Sequence, residues 1–449
     1  MKNRLIILTM ISTLFLGSCE ELLEPQPVAL LIDNLALNEA KDVPSVRVGL
    51  YASFRSIASP KVLAGDFTAD MLIHNGTFSQ YREMSNKEIT PSNATVAALW
   101  GNIYGTVYVA NFILEKLPDL SGVEKSIREQ VLAEAHLLRG YAYFVGITSF
   151  GKMPLVTTTD ITINKNIARS GIEEVKKLIL DDYNYALNYL PETSINAAFA
   201  SKDAARAAFA RFYLYSGQWD KAELYADAVI KGENYRLEDD FLKVVFTDFT
   251  SEAILEVGYS AADDPGTSST GLNNLFLGRR EIIPSNEAIF TLSSDESGDR
   301  FYCISFSFDN LNGTDNGWSV AKYGTADEDN NNIIVFRLAE MYLIRAEARV
   351  EQNNLIGAEE DINVLRTRAQ APAVTAISQA QMREVIEKER LYELAYEGHR
   401  WYDLIRTGRA PVIMPAFSAN WKDYYNVWPV PQREMQINPG LVGDQNPGY

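Results

Sequence analysis

The chain has 449 residues, 47% of them hydrophobic, enough for one large domain or two closely packed halves. Its formal charge of −18 excludes a role in binding nucleic acid, which needs a basic footprint for the phosphate backbone. Two cysteines, Cys19 and Cys303, leave little scope for a disulfide framework.

At the N-terminus Lys2 and Arg4 precede an uncharged stretch, residues 5–16, that runs into Leu16-Gly17-Ser18-Cys19. A positive start, an apolar core of this length and small residues before the cut read as a secretory signal, too short to span a bilayer. A cysteine at the cut is the mark of a bacterial lipobox, so the mature chain is expected to begin at Cys19 with acyl chains on its sulfur. Each buried CH₂ of those chains contributes about 0.8 kcal/mol, and several chains on one residue anchor firmly. Loss of Lys2 and Arg4 with the leader takes the formal charge from −18 to −20. With Cys19 acylated, Cys303 has no partner for an intramolecular disulfide.

Residues 89–114 carry no charge and are long enough to cross a membrane. Pro91, Asn93, Gly101, Asn102, Gly105 and Asn111 interrupt them, and Trp100, Tyr104, Tyr108 and Phe112 recur at helical spacing, so they are expected to form a buried helix. Helical periodicity continues through 172–190, 202–216, 219–230 and 382–405, and through Ile334, Leu338, Met341, Tyr342, Ala346 and Val350. Strand-like alternation is confined to 253–259 and 301–308. Gly, Asn, Asp and Ser gather in 260–274, 293–300 and 309–318, which predicts loops. The expectation is a mainly α fold with loop-rich insertions and a few short strands.

A repeat lies within this pattern. Ala210, Leu214, Gly217, Trp219, Ala222, Ala226 and Val229 match Ala346, Val350, Asn353, Leu355, Ala358, Ile362 and Leu365 at one constant offset. Both sets read as helix, tight turn, helix, with small residues for close approach and Gly217 or Asn353 to take the left-handed turn. Such spacing is that of a tetratricopeptide-like hairpin, a scaffold that does not by itself give a function.

Five motifs in fixed order carry a family resemblance: LRGYAYF at 138–144 with GKMP at 151–154, RLAEMYLIRAEA at 337–348, ERLYELAYEGHRWYDL at 389–404, PVPQRE at 429–434 and NPGY at 446–449. Together with the lipobox they resemble the RagB/SusD family of Bacteroidetes surface lipoproteins. That resemblance implies tetratricopeptide-like hairpins, an outer-membrane lipid anchor, a glycan ligand and a SusC-like TonB-dependent barrel transporter as partner. It also implies no enzymatic activity and no cofactor. Glu20-Glu21 after Cys19 resembles signals that send such lipoproteins to the outer face. On this pattern the chain divides into a leader (1–18), an anchored linker (19–35), an N-terminal helical region (36–235), a loop-rich ligand-binding insertion (236–332) and a C-terminal region (333–449).

The charges in these motifs, Arg337, Glu340, Glu347, Arg390, Glu393, Glu397, Arg400 and Asp403, alternate in sign on helices that also carry the apolar stripe, which predicts an ion-pair network and not a catalytic pair. His74, His136 and His399 lack metal-ligand spacing, and Glu397 and His399 are expected to diverge around a helix. No nucleophile elbow or phosphate-cradling glycine loop occurs.

Sugars present apolar faces and a rim of hydroxyls, so capture needs exposed rings beside amide or charged side chains. Two regions have that character. The first offers Asp66, Phe78, Tyr81, Trp100 and Asn102; the second offers Tyr302, Asn316 and Trp318, just before Lys322-Tyr323, and Trp318 is the foremost candidate. Trp421, Tyr424 and Tyr425 form a third aromatic group, expected to be structural or at the transporter interface. The competing readings are capture of a peptide by the same kind of system, a lipid-anchored glycoside hydrolase, and an adaptor that binds proteins alone.

Overall fold

The structure is a computed structural model describing residues 37–259, 271–326, 329–330 and 332–449. The leader, the lipobox with Cys19, and most of the loop expected at 260–274 lie outside the described residues.

Among the described residues nine long helices build the frame: α1 (Val43–Phe67), α2 (Ala94–Lys116), α3 (Lys125–Phe150), α4 (Ile172–Tyr189), α5 (Lys202–Tyr215), α6 (Trp219–Lys231), α7 (Leu338–Glu351), α8 (Leu355–Arg368) and α9 (Gln379–Glu393). Each packs chiefly on its neighbour in sequence, from α1 on α2 through α7 on α8, and α9 returns onto α7. Because α6 packs directly on α7, residues 232–337 leave the helical stack and return to it as a lateral insertion.

The repeat is present as expected. The helices of the α5–α6 hairpin start at Lys202 and Trp219, those of α7–α8 at Leu338 and Leu355, and each pair keeps the same spacing as Gly217 and Asn353. Those two turn residues have φ of +64° and +62°, the left-handed conformation that ends a helix and suits Gly or Asn. Ala210 and Ala346, with Ala222 and Ala358, are fully buried where the helices meet.

The α2 helix begins at Asn93, whose side-chain oxygen accepts from the backbone N–H of Thr95 (2.9 Å) and Val96 (3.3 Å). It is long and apolar enough to cross a membrane. Its Leu99, Trp100, Ile103, Val107 and Ala110 are instead buried against α1 and α3.

Three local expectations change. Residues 382–405 are not one helix: α9 ends at Glu393, a turn follows with Tyr396 and Gly398 at φ of +64° and +76°, and a short helix resumes at Arg400–Arg406. Glu397 and His399 therefore lie in and beside a turn. The cause is tertiary, since Gly398 meets α1 so closely that a Cβ on Gly65 would sit 2.1 Å from the Gly398 carbonyl oxygen. Ile334 belongs to a strand, Ile333–Arg337, paired antiparallel with Ala253–Val257; its apolar spacing merely runs on into α7. Of 301–308 only Ile304–Phe306 is strand, after a 3-10 turn over Gly298–Cys303.

The motif charges do form an ion-pair network, but across elements and in the core, not along a helix surface. Arg337 donates to Glu252 (3.2 Å), Glu393 (2.6 Å) and Glu397 (3.1 Å). Arg211 pairs with Glu340 and Arg406 with Glu347, again from one element to another. Burial alone would raise the Glu393 carboxyl, but Arg368, Arg337 and Arg300 outweigh it and hold its pKa at about 2. Lys322 and Tyr323 are anchors: the ammonium donates to Glu397 (2.5 Å) and the hydroxyl to the Tyr396 carbonyl (2.7 Å).

Candidate functional site

The insertion carries an antiparallel hairpin, Ile304–Phe306 with Trp318–Val320, in which Ile304 faces Val320 and Phe306 faces Trp318. Side chains two apart on a strand share a face. Ile304 and Val320 are buried at one end of that face, and this fixes the Phe306–Trp318 pair where it rises toward solvent. Trp318 is half-buried, edge-on to Phe301 (5.8 Å between ring centres) and tilted against Phe306 (5.3 Å); Phe306 in turn meets Phe308 (4.9 Å). The outer rings are open: Phe308 is 81% exposed, Tyr302 45% and Phe306 40%. Gly317, at φ +80°, makes this possible, because a Cβ there would lie 2.5 Å from the Phe306 ring.

Polar groups hold the turn. The Asn316 side chain accepts from the Trp318 N–H (3.1 Å) and donates to the Pro284 carbonyl (2.9 Å). Asp315 accepts from Asn75 (2.9 Å), from Arg280 (2.5 Å) and from the Gly317 N–H (2.8 Å). Partial burial pushes its carboxyl up, but Arg280 and the Gly317 N–H outweigh that and hold it below the usual carboxylate range. Asp315 is thus occupied in positioning the loop.

These bonds join the two regions singled out by their aromatic and amide content. A short strand, Leu72–His74, pairs with Ile282–Pro284, and the Glu281 carboxylate accepts from the N–H groups of Thr77 (2.6 Å) and Phe78 (3.1 Å). Phe78 is half-buried with Arg279 over its ring at 4.6 Å and Tyr81 6.0 Å away. Asn102 lines a cleft of about 520 Å³, together with Arg55, Ser56, Gln80 and Tyr259; Tyr81 borders it too, but is 3% exposed with its ring packed against Phe67 and Phe78, so it offers a ligand no open ring face. Asn102 donates to the Ser56 carbonyl (2.7 Å) and Arg55 lies over the Tyr259 ring (5.5 Å).

Two of the named residues sit elsewhere. Trp100 is 2% exposed, packed between Tyr104 and Phe150, and offers no ring face to a ligand. Asp66 is 1% exposed and accepts from the N–H groups of Gly398 (2.6 Å) and Arg400 (3.3 Å), so it clamps the turn after α9. Burial raises its carboxyl and lowers the neighbouring Lys61 ammonium. In the third aromatic group Trp421 and Tyr425 are buried, and Tyr424 packs on Tyr449.

Phe301, Phe306, Phe308 and Arg279 join the site without having been named from the sequence. The alternation in FSF at 306–308 is the signal for the first exposed rings; nothing local marks Arg279, which arrives through the Leu72–His74 pairing. Rings on a hairpin held by hydrogen bonds at its turn, flanked by amides and guanidinium groups, suit a ligand with apolar faces and a polar rim.

Comparison with known proteins gives a consistent result. A family model described as "SusD family" matches residues 309–449, and one described as "Starch-binding associating with outer membrane" matches 36–214. The chain is 25% identical to SusD-like protein P38 of Formosa agariphila over 98% of both chains. It is also 25% identical to the starch-binding protein SusD of Bacteroides thetaiotaomicron over 76% of each. A solved structure of a laminarin binding SusD-like protein superposes with a TM-score of 0.80 at 25% identity, covering 92% of this chain and all of that one.

Proposed function

Because the chain belongs to the SusD/RagB family, we propose that it is a glycan-binding protein that captures oligo- or polysaccharide and delivers it to a partner TonB-dependent outer-membrane transporter. The observation that carries this reading is the open aromatic platform of Tyr302, Phe306, Phe308 and Trp318 on a hairpin pinned by Asn316 and Asp315. Relatives whose names state starch and laminarin binding support a sugar as the class of ligand.

In this reading a sugar stacks its C–H faces on Trp318, Phe306 and Tyr302, while Asn316 and the Arg279–Phe78 pair meet its hydroxyls. The cleft beside Tyr81 and Asn102 takes the continuation of the glycan. Cys19 carries the lipid that holds the protein at the outer membrane, and binding is followed by transfer into the barrel with no bond made or broken. The platform is tested by titrating the chain that begins after Cys19, and its Trp318→Ala form, with laminari- and malto-oligosaccharides. Loss of about 1–3 kcal/mol of binding in a folded variant is expected; unchanged affinity would move the site off the hairpin.

A further inference from the structure

Among the described residues, two aromatic side chains are more than half exposed: Phe308 at 81%, on the platform, and Phe290 at 83%. Both belong to the insertion. Phe290 stands on a short helix, Asn286–Leu292, that follows directly on the strand Ile282–Pro284. The helix is fixed from its inner side, where Ala288 and Leu292 are buried. The Ser285 hydroxyl accepts from the Ala288 N–H (3.0 Å) and donates to the Asp70 carbonyl (2.5 Å). Asn286, Glu287 and Phe290 are left facing solvent. Residues three or four apart on a helix are neighbours on one side, so the Phe290 ring rises beside Asn286 and Glu287.

The platform reaches this same helix. Strand Trp318–Val320 packs on Ile282–Pro284, and the Asn316 amide donates to the Pro284 carbonyl (2.9 Å) and meets the Asn286 side-chain oxygen at 3.5 Å. Asn316 also accepts from the Trp318 N–H (3.1 Å), so the pair Asn316–Asn286 links the turn that holds Trp318 to the helical turn that holds Phe290. An apolar ring gains nothing from water, and single exposed rings mean little by themselves. Here the two most open rings stand on segments joined at one junction of amide side chains.

We propose that Phe290 is a further ring of the glycan site, which stacks a sugar unit beyond the one on Trp318 while Asn286 and Glu287 meet that unit's hydroxyls. The inference rests on the glycan reading of the platform and adds a ligand length to it: the site favours an oligosaccharide long enough to lie on both rings. A carboxylate and an amide beside an open ring suit a neutral, hydroxylated unit at this end.

The test is calorimetric titration of the chain that begins after Cys19 with oligosaccharides of increasing length, from two to eight units, drawn from plant, host and microbial glycans. Affinity for the glycan class that binds is expected to rise with length to a plateau. Phe290→Ala, at a position too exposed to endanger folding, should weaken the plateau about fivefold and leave the shortest oligosaccharide that binds unchanged, whereas Trp318→Ala weakens binding at every length. Phe290→Tyr, which keeps a ring, should retain the plateau affinity; Phe290→Leu, which keeps apolar bulk without a ring, should not. Wild-type plateau affinity in Phe290→Ala or Phe290→Leu, or an equal loss at all lengths in Phe290→Ala, would overturn the inference and leave a Trp318-dependent platform standing. Silence with every glycan would overturn the reading of the platform, and this inference with it.

Discussion

Trp100 and Trp318 bear the same indole, and only their surroundings separate a core residue from a candidate for stacking. Trp100 lies at helical spacing with Tyr104 on α2 and is covered by α3 through Phe150; Trp318 sits at a strand end where its cross-strand partner is itself exposed. Trp100→Ala should therefore cost about 3–5 kcal/mol of stability. Phe308→Ala should change stability by no more than about 0.5 kcal/mol and still weaken glycan binding. Thermal melts beside calorimetric titrations check both, and a binding loss no larger than the stability loss would deny Phe308 a place in the site. The sequence made both tryptophans legible as aromatic anchors beside amides, but exposure depends on what packs over them, and that is a tertiary fact. Asp66 was misplaced for the same reason, because its partners are the N–H groups of Gly398 and Arg400, far along the chain.

Glu256 illustrates a titration set by burial. Its carboxylate accepts from Asn332 (2.9 Å) and the Phe249 N–H (3.0 Å), yet burial raises its pKa from 4.5 to about 7. The folded value exceeds the unfolded one, so the stability it contributes is complete below about pH 4.5 and is lost as pH rises through about 7. Glu256→Gln keeps an acceptor for both bonds and should gain roughly 2–3 kcal/mol relative to wild type at pH 8, with little difference at pH 4. Parallel denaturant curves at the two pH values decide it, and equal gains at both would remove the titration from the explanation.

At the level of elements, the hairpins were readable because each is closed locally. Gly217 and Asn353 end their first helices in the left-handed conformation, and the apolar spacing on either side needs no distant partner. A Cβ on Gly217 would meet nothing nearer than the Trp219 ring at 3.7 Å, so its cost is that of the backbone angle alone. Gly217→Ala should lose about 1–2 kcal/mol, whereas Asn353→Gly should be neutral or slightly stabilising. A matched pair of denaturation midpoints tests the shared turn, and tolerance of alanine at 217 would refute it. The break between Glu393 and Arg400 was not readable, because Gly398 adopts φ +76° to meet α1 and the local sequence continues a helical period. Strand Ile304–Phe306 was legible in its alternation, but its partner, Trp318–Val320, starts on the last residue of a segment that reads as loop and has no alternation of its own to mark it.

On the scale of the molecule, buried ion pairs join the insertion to the helical stack. Arg337, at the junction of the last strand and α7, reaches Glu252 in the insertion as well as Glu393 and Glu397. Arg337→Met would strand these carboxylates in the core and should cost about 3–5 kcal/mol, a far larger loss than a surface pair could produce. A drop under 1 kcal/mol in chemical denaturation would mean the network does not hold the two parts together. The Phe306–Trp318 pair lies on that insertion, so its placement depends on the insertion staying seated on the helices. The central claim, capture of a glycan without chemistry, is tested most directly by titrating the chain that begins after Cys19 with a panel of plant, host and microbial oligosaccharides and a peptide digest, while following product formation. The account predicts saturable binding to one glycan class with the oligosaccharide recovered intact; cleavage of the sugar, or binding confined to peptides, would contradict it.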